Sequence, residues 1–295
     1  MHKVLSDKRI ILVFMLPATL LFLFIVIVPI FISVHYSTLK WDGIGVGKFI
    51  GLGNFQQLFT DKRTDFYEAI LNSLYLAALS VFIQLPIAFF FARVLASGVK
   101  GEGFFRTVYF IPVIVSTVVI GQMWLKIYNP QYGLLNSLLK YVGLGKLSQE
   151  WLGNKEIALG SVFVPLIWQY VGYHILLFYA GIKTVPQDII EAAKIDGASF
   201  STITFRIVVP NIISVIEICV VLAVVGSLKT FDLIYILTNG GPLHATEVPT
   251  TLMFNTIFHR IDYGFGSAMA IFIVLECLLL TVAIRGFFGR FDYAK

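Results

Sequence analysis

Six long apolar stretches recur along the chain, each free of Asp, Glu, Lys and Arg or interrupted by a single glutamate. Each has about the 20 residues that a helix needs to cross roughly 30 Å of hydrocarbon. Because lipid offers no water to backbone N–H and C=O groups, each stretch is predicted to be helical. The pattern predicts an all-α, polytopic membrane protein in which residues 1–295 form a single transmembrane domain. The six predicted spans are Ile10–Val34, Ala69–Ala92, Thr107–Leu125, Ile157–Ile182, Ile207–Leu228 and Tyr263–Ile284.

The composition supports the same prediction. Hydrophobic residues make up 58% of the chain and charged residues 13%, whereas a soluble domain carries about 25% charged residues. The formal net charge is +5, but the basic residues are dispersed and form no block. A modest, dispersed positive excess is explained by anionic lipid headgroups. Membrane lipid is therefore the expected partner, and nucleic acid is not.

The distribution of Lys and Arg predicts the orientation. If the N-terminus is cytoplasmic, the inner segments are 1–9, 93–106, 183–206 and 285–295, and they hold 12 basic residues in 58 positions. The outer loops hold the other 10 in about 100 positions. Basic residues concentrate on the cytoplasmic side of membrane proteins, so both termini are predicted to be cytoplasmic.

Several kinds of catalytic site are missing from the sequence. It contains no G-x-x-x-x-G-K-[ST] loop to cradle ATP phosphates, no H-E-x-x-H or G-x-S-x-G motif and no His/Cys set at zinc spacing. Cys219 and Cys277 both lie within apolar runs and suggest neither a disulfide framework nor a metal site. The chain is predicted not to be an enzyme and to hold no metal or cofactor. Transport against a concentration gradient would need energy from an ion gradient or from a partner protein.

The longest predicted cytoplasmic connection, residues 183–206, contains a short helical pattern. Pro186 to Asp188 begins it, with the acid where the helix dipole favours negative charge. Gly197 is placed to end it as a C-cap, and a second short helix is predicted over Ser199–Ile207. One apolar surface is expected from Ile189, Ile190, Ala193 and Ile195.

This loop carries a recognisable pattern. Residues 191–197 read E-A-A-K-I-D-G and, after nine residues, 207–210 read I-V-V-P. This resembles the E-A-A-x-x-x-G-x9-I-x-L-P signature of binding-protein-dependent ABC importer permeases, with Val209 where leucine is usual. The resemblance implies the type I importer permease fold and a coupling helix that docks on a separate ATPase. The implied coupling residues are Glu191, Ala192, Ala193, Asp196 and Gly197. The alternative is an amphipathic helix lying on the membrane surface.

Other segments narrow the resemblance. Residues 237–242 (L-T-N-G-G-P), Thr246 and residues 264–268 (G-F-G-S-A) are similar to those of carbohydrate-uptake permeases of the maltose, multiple-sugar and glycerol-phosphate type. The family implies a bacterial or archaeal cell membrane and import of an oligo- or disaccharide. It also implies a homologous second permease, two ATP-binding subunits that hold ATP and Mg, and an extracytoplasmic solute-binding protein.

Polar and aromatic residues within spans are candidates for a substrate path. Tyr170, Tyr173 and His174 share a face of the fourth span by their i, i+3 and i+4 spacing, where rings could stack on a sugar. Aromatic packing between helices is the alternative. The family places the sugar site on the spans that flank the coupling loop. The matching residues in this chain are Gln169, Tyr170, Tyr173, Ala223, Gly226, Ser227 and Thr230.

Two other transport functions remain open. Glycerol phosphate would need Arg or Lys in the cavity, and the predicted spans contain neither, so a neutral sugar is favoured. A proton-coupled secondary transporter could use Glu217 and Glu276, which interrupt the fifth and sixth spans. Burial of these two residues against a partner subunit is the simpler interpretation, because a charged side chain facing lipid is costly.

Overall fold

The computed structural model describes residues 8–60 and 65–290. The predicted cytoplasmic segments at the two ends lie partly outside these residues. The described chain is almost entirely helical, which confirms the all-α fold class.

The N-terminal part contains three helices and a short antiparallel ribbon. In chain order these are α1 (Lys8–Phe22), a π-helical turn (Leu23–Ile27), α2 (Val28–Ser37), β1 (Leu39–Lys40), β2 (Lys48–Phe49) and α3 (Gly53–Thr60). Leu39 pairs with Phe49 and Lys40 with Lys48 in the ribbon.

The central part contains two helices joined by a π-helical turn, a pair of shorter helices, one more short helix and a 3-10 turn. These are α4 (Phe66–Leu79), a π-helical turn (Ser80–Gln84), α5 (Leu85–Ala96), α6 (Glu102–Ile114), α7 (Thr117–Ile127), α8 (Leu134–Tyr141) and a 3-10 turn (Gly145–Leu147).

The C-terminal part begins with a 26-residue apolar helix and continues through shorter elements to a final helix of the same length. These are α9 (Ala158–Lys183), α10 (Gln187–Ile195), α11 (Phe200–Ile203), a π-helical turn (Thr204–Val208), α12 (Val209–Asn211), α13 (Ile213–Leu228), α14 (Asp232–Leu237), α15 (Pro249–Phe258) and α16 (Tyr263–Phe288).

Five continuous helical segments in the described residues are long and apolar enough to cross a membrane. The bent pair of α6 and α7, whose axes differ by 94°, adds a sixth only if the two helices together make one crossing. The five continuous segments are Leu12–Ser37, Phe66–Ala96, Ala158–Lys183, Ile213–Leu237 and Tyr263–Phe288.

The third predicted span, Thr107–Leu125, is therefore not one straight helix. Val115 and Ser116 adopt extended backbone angles between α6 and α7. Pro112 removes one amide donor from the last turn of α6. The β-branched and hydroxyl-bearing residues that follow have low helix preference, and serine favours the position before a new helix. These local preferences account for the break.

The fifth span also begins later than predicted, at Ile213 instead of Ile207. Residues 204–208 form a π-helical turn, and Pro210, which has no amide hydrogen, follows inside α12. Ile212 leaves helical geometry, with φ −112° and ψ 20°. The segment between α11 and α13 is thus a series of short turns.

The chain divides into two compact units. The first takes in the described residues up to Thr60 together with Met253–Val274. Within it, the buried Asn54 side chain donates from Nδ2 to the carbonyls of Ser37 (2.9 Å) and Leu39 (2.8 Å). Gly264 approaches the Leu39 carbonyl so closely that a Cβ would clash. These contacts hold the ribbon against the start of α16.

The second unit comprises Asp65–Leu252 and the chain after Val274. One buried apolar cluster joins α5, α9 and the segments around α10 to α13, and includes Ala88, Ile175, Phe178 and Ile190. A second cluster joins α4, α7, α9 and α14. Gly172 brings α9 against the Tyr109 carbonyl of α6, where a Cβ would clash. The glycine therefore permits the closest approach between these two helices.

Candidate functional site

A cavity of about 320 Å³ lies within the second unit. It is bordered by α4 and its following π-helical turn, α7, α9, α13 and the start of α14. Its lining is mixed, with aromatic and aliphatic side chains beside hydroxyl, amide and charged groups. The polar and aromatic members include Ser80, Gln84, Thr117, Tyr170, Tyr173, His174, Ser227, Lys229, Thr230 and Asp232.

Most residues of the predicted substrate path border this cavity. The structure brings together Tyr170, Tyr173, Ala223, Gly226, Ser227 and Thr230. Gln169 does not line it: the side chain is 1% exposed, and its Nε2 donates to Thr117 Oγ1 over 3.0 Å. Successive residues of an α-helix point about 100° apart, so Gln169 faces α7 while Tyr170 faces the cavity. Gln169 holds a cavity-lining hydroxyl in place and is not itself part of the wall.

His174 is buried beside the two tyrosines. Its Nδ1 lies 3.3 Å from Gln84 Nε2 and 3.2 Å from the Tyr170 carbonyl oxygen. A single ring nitrogen can accept from the first or donate to the second, so the tautomer is set by which bond forms. Nε2 has no partner among the described residues. The Tyr173 ring meets the imidazole edge-on, with centroids 5.5 Å apart.

Ser80 and Gln84, two polar residues of the second span, also line the cavity but were not predicted as site residues. Ser80 Oγ lies 3.0 Å from Ser227 Oγ, which also donates to the Ala223 carbonyl. Gln84 stands one helical turn away from Ser80 and reaches His174. A serine and a glutamine four residues apart in an otherwise apolar run were the available signal.

The predicted spans contain no Arg or Lys, but the cavity wall includes a basic side chain from just beyond one of them. Lys229 lines it, and this residue lies one position beyond the predicted end of the fifth span at Leu228. Asp232, in the first turn of α14, lines the same cavity. The wall therefore carries one residue of each charge and no net formal excess from this pair.

The predicted coupling helix is α10, and its C-terminus is closed by two backbone bonds. The amide of Gly197 donates to the Lys194 carbonyl (3.0 Å) and that of Ala198 to the Ala193 carbonyl (2.9 Å). This is the Schellman pattern, which needs a residue in the left-handed region. Gly197 supplies it with φ +79°, so the chain can turn sharply between α10 and α11.

The apolar residues of α10 do not form one surface, contrary to the expectation. Ile190 is buried in the apolar cluster, and Ala193 packs against it. Ile189 is exposed and Ile195 is 87% exposed. At 100° per residue, positions 189 and 195 cannot share the face of position 190. The helix is anchored by one face and presents another, which also carries Glu191, Ala192 and Asp196.

The two membrane carboxylates lie outside the cavity lining. Glu217 Oε1 is 3.9 Å from Arg285 Nε, and the Glu276 Oε2 atom is buried without a partner among the described residues. Both cysteines are free. Within residues 8–60 and 65–290, no group of three or more His, Cys, Asp or Glu side chains is arranged to hold a metal ion.

Comparison with known proteins identifies the family. The family described as "Binding-protein-dependent transport system inner membrane component" matches residues 84–292, more than two-thirds of the chain. The chain belongs to this family. It is therefore an integral membrane protein and a transport component, and the prediction that it is not an enzyme is confirmed by its permease relatives.

Relatives match most of the chain. It is 38% identical over 286 residues to the probable ABC transporter permease protein YurN of Bacillus subtilis (strain 168), covering 96% of this chain and 97% of YurN. It is 32% identical over 234 residues to the trehalose/maltose transport system permease protein MalF of Thermococcus litoralis, covering 79% of this chain and 78% of MalF.

A solved structure confirms the importer permease fold. The chain resembles one from the crystal structure of a bacterial alginate ABC transporter in complex with an alginate pentasaccharide-bound periplasmic protein, with a TM-score of 0.84. The match covers 97% of this chain and 96% of that chain, at 21% sequence identity.

Proposed function

We propose that this chain is a membrane-spanning subunit of an ATP-driven importer that passes an oligo- or disaccharide through the cavity. The observation that carries the proposal is the cavity wall. Tyr170 and Tyr173 present half-exposed rings beside the hydroxyls of Ser80 and Ser227 and the amide of Gln84. Aromatic faces suit the C–H face of a sugar ring, and hydroxyl and amide groups suit its hydroxyls. The names of MalF and the alginate transporter support a carbohydrate substrate.

ATP energy enters, in this proposal, through α10. The exposed residues Glu191, Ala192, Asp196 and Gly197, with the half-buried Ala193, form the surface offered to a cytoplasmic ATPase subunit. Ile190 anchors the helix to the core of the second unit, so a push on α10 is transmitted to the helices behind it. An amphipathic helix on the membrane surface would bury its apolar residues in lipid. Here the main apolar anchor is already buried in the protein.

The proposed assembly contains a homologous second permease, two ATP-binding subunits and an extracytoplasmic solute-binding protein. The family description and the periplasmic protein in the alginate transporter support this composition. ATP and Mg are held by the ATPases. Closure of the two ATPase subunits would move the coupling helices of both permeases and open the cavity outward. ATP hydrolysis would then return the cavity to its inward-facing state. The proposed location is a bacterial or archaeal cell membrane, with cytoplasmic termini and one transmembrane domain over residues 1–295.

Lys229 bears on whether the transported substrate is phosphorylated or neutral. A phosphorylated substrate would gain from this ammonium group, but Asp232 lines the same cavity and would repel it. Because the pair offsets in charge, we propose a neutral sugar. Glycerol phosphate should then fail to compete with sugar uptake, and Lys229→Met should leave the substrate preference unchanged. Competition that disappears in the Lys229→Met variant would instead identify a phosphorylated substrate.

The decisive experiment is uptake of labelled sugars by the complete transporter in vesicles. Uptake should require ATP and the binding protein, and should fall at least ten-fold in Tyr173→Ala and in Ser227→Leu. Tyr141→Ala, an exposed tyrosine that does not line the cavity, is the matched control. Normal uptake by both cavity variants would contradict the proposed path. Uptake driven by a proton gradient without ATP would identify a secondary transporter.

The coupling role needs a separate measurement. Glu191→Lys should leave the chain inserted and the assembly able to bind sugar-loaded binding protein, but should lower ATP-dependent uptake at least ten-fold. Glu150→Lys, also an exposed glutamate but in the predicted outer loop, is the control. Unchanged uptake by Glu191→Lys would place the ATPase contact elsewhere.

A further inference from the structure

A second cavity lies in the same unit, and none of its lining residues lines the first. Its volume is about 700 Å³, within the usual range for a small-molecule site. It is bordered by α4, α7, α8 and the N-terminal half of α9. We call it the aromatic groove, defined by Trp124, Tyr128, Leu134, Leu138, Trp151 and Gly160.

The polar atoms of Trp124, Tyr128 and Trp151 are not offered to an occupant. Tyr128 donates its hydroxyl to the Ser161 carbonyl over 2.9 Å, and Trp151 donates Nε1 to Asn136 Oδ1 over 2.8 Å. Trp124 Nε1 is buried, without a partner among the described residues and without access to solvent. The groove therefore presents ring faces and aliphatic carbon. A sugar would find few partners for its hydroxyls, whereas an alkyl chain would lose no hydrogen bond by entering.

The groove opens on the apolar outer surface of the protein. Tyr75 on the second span and Val164 on the fourth line it and are exposed, as are Leu134 and Leu138 on α8. With Tyr141, the two leucines repeat at i, i+4 and i+7, the pattern of a helix that rests its apolar side on the membrane interface. The groove is thus continuous with an exposed apolar surface that includes side chains of two membrane-spanning helices.

The charges near the groove match a phospholipid headgroup. Lys126 adjoins the lining residue Ile127 in sequence, and Lys155 adjoins the lining residue Glu156. Basic side chains at the membrane surface attract lipid phosphate. The carboxylate of Glu156, which lines the groove, can accept from an ammonium group. A headgroup with both charges would complement both residue types.

We propose that the aromatic groove holds one acyl chain of a zwitterionic glycerophospholipid such as phosphatidylethanolamine. Its phosphate would lie near Lys126 and Lys155 and its ammonium near Glu156. The lipid would then be a resident component of the protein, separate from the transported substrate.

Gly160 allows a direct test, because a Cβ added there meets no atom within 4 Å. Gly160→Leu should fill the groove without displacing backbone. Gly286→Leu on α16, equally unobstructed and outside the groove, is the matched control. In native mass spectrometry of the transporter purified from membranes, the unmodified protein and Gly286→Leu should retain a phospholipid mass. Retention by Gly160→Leu should fall at least five-fold.

A second pair of variants covers the case in which Gly160→Leu does not accumulate. Leu138 lines the groove and Leu147 does not, yet both are 54% exposed. Leu138→Glu should lose the lipid and Leu147→Glu should keep it. No phospholipid on the unmodified protein, or equal retention by all variants, would overturn the proposal. A third outcome would also overturn the proposal: the unmodified protein holds no lipid, and the groove variants lose the second permease. The groove would then be a contact surface for that partner.

Discussion

Arg93 Nε donates to Thr204 Oγ1 over 3.0 Å, and its guanidinium lies 4.3 Å from the centroid of the Phe200 ring. The arginine is near the end of α5 and is only 6% exposed. Thr204 and Phe200 belong to the turns that follow α10. This contact joins the segment after the proposed coupling helix to the span that carries Ser80 and Gln84 into the cavity.

We therefore expect Arg93→Met to uncouple ATP hydrolysis from uptake. Losing a hydrogen bond from a charged group costs about 1.5–3 kcal/mol, while Thr204 keeps its bond to the Phe200 carbonyl. Uptake should fall roughly ten-fold or more, with ATPase activity retained and no longer stimulated by loaded binding protein. Arg93→Lys should keep part of the coupling, because it preserves the charge over Phe200.

The matched control is Arg285→Met, which removes an exposed arginine from a 3.9 Å contact with Glu217. This contact does not involve the segment after α10, so the variant should keep uptake coupled to ATP hydrolysis. Equal losses in Arg93→Met and Arg285→Met would show that the Arg93 contact has no specific part in coupling.

The bend after α10 gives a second prediction. Gly197 has φ +79° and open space around its Cβ position, so a substitution there is opposed by backbone conformation and not by a clash. Gly197→Val should cost about 1–2 kcal/mol and disturb the Schellman closure. Uptake should fall while membrane insertion stays normal. Gly197→Asn should transport nearly as well as the unmodified protein, because asparagine tolerates the left-handed region. Similar uptake by both variants would contradict this account.

Five of the membrane-spanning helices and the position of α10 could be predicted because each depends on a local pattern. Apolar length determines the crossings, and Pro186, Asp188 and Gly197 mark the ends of the helix. The break at Val115 and Ser116 was missed because a window of hydropathy does not register the helix preference of single residues.

Other features depend on how helices rotate against one another. Gln169 and Tyr170 are neighbours in the sequence and both carry polar groups, but only the packing of α9 on α7 decides which one faces the cavity. The position of Lys229 in the cavity wall was not predicted, because the predicted fifth span ended at Leu228, the last apolar residue. Ser80 and Gln84 could have been predicted as site residues, because polar residues one turn apart in a membrane helix usually share a partner or a cavity.

The packing of α6 on α9 gives a third prediction. Gly172→Ala would place a Cβ against the Tyr109 carbonyl oxygen, so the two helices must separate. Overpacking of this kind costs about 1–3 kcal/mol and should lower the thermal unfolding temperature of the purified protein. Gly160→Ala is the control on the same helix: its Cβ meets no atom within 4 Å, and alanine is favoured over glycine in helices by about 1 kcal/mol. If both variants melt alike, the close approach at Gly172 is not a constraint on stability.

The loop between α14 and α15 depends on Glu247, which is 2% exposed. Its carboxylate accepts from Thr251 Oγ1 over 2.7 Å and lies 3.0 Å from His244 Nδ1. Asn72 Nδ2 donates to its backbone carbonyl over 2.8 Å, which ties the loop to α4. Glu247→Ala removes the buried acceptor and leaves a void, so it should destabilise the loop by about 1–3 kcal/mol. Faster limited proteolysis within residues 238–248 would report this.

His244→Ala is the informative comparison, because the imidazole is half-exposed and water can replace its contact. Losing this contact should cost less than losing the buried carboxylate, so this variant should be cleaved more slowly than Glu247→Ala. The difference between the two variants isolates the buried hydrogen bonds of Glu247 from its surface contact. If His244→Ala is cleaved as fast as Glu247→Ala, the loop is held by the imidazole contact and not by the buried carboxylate.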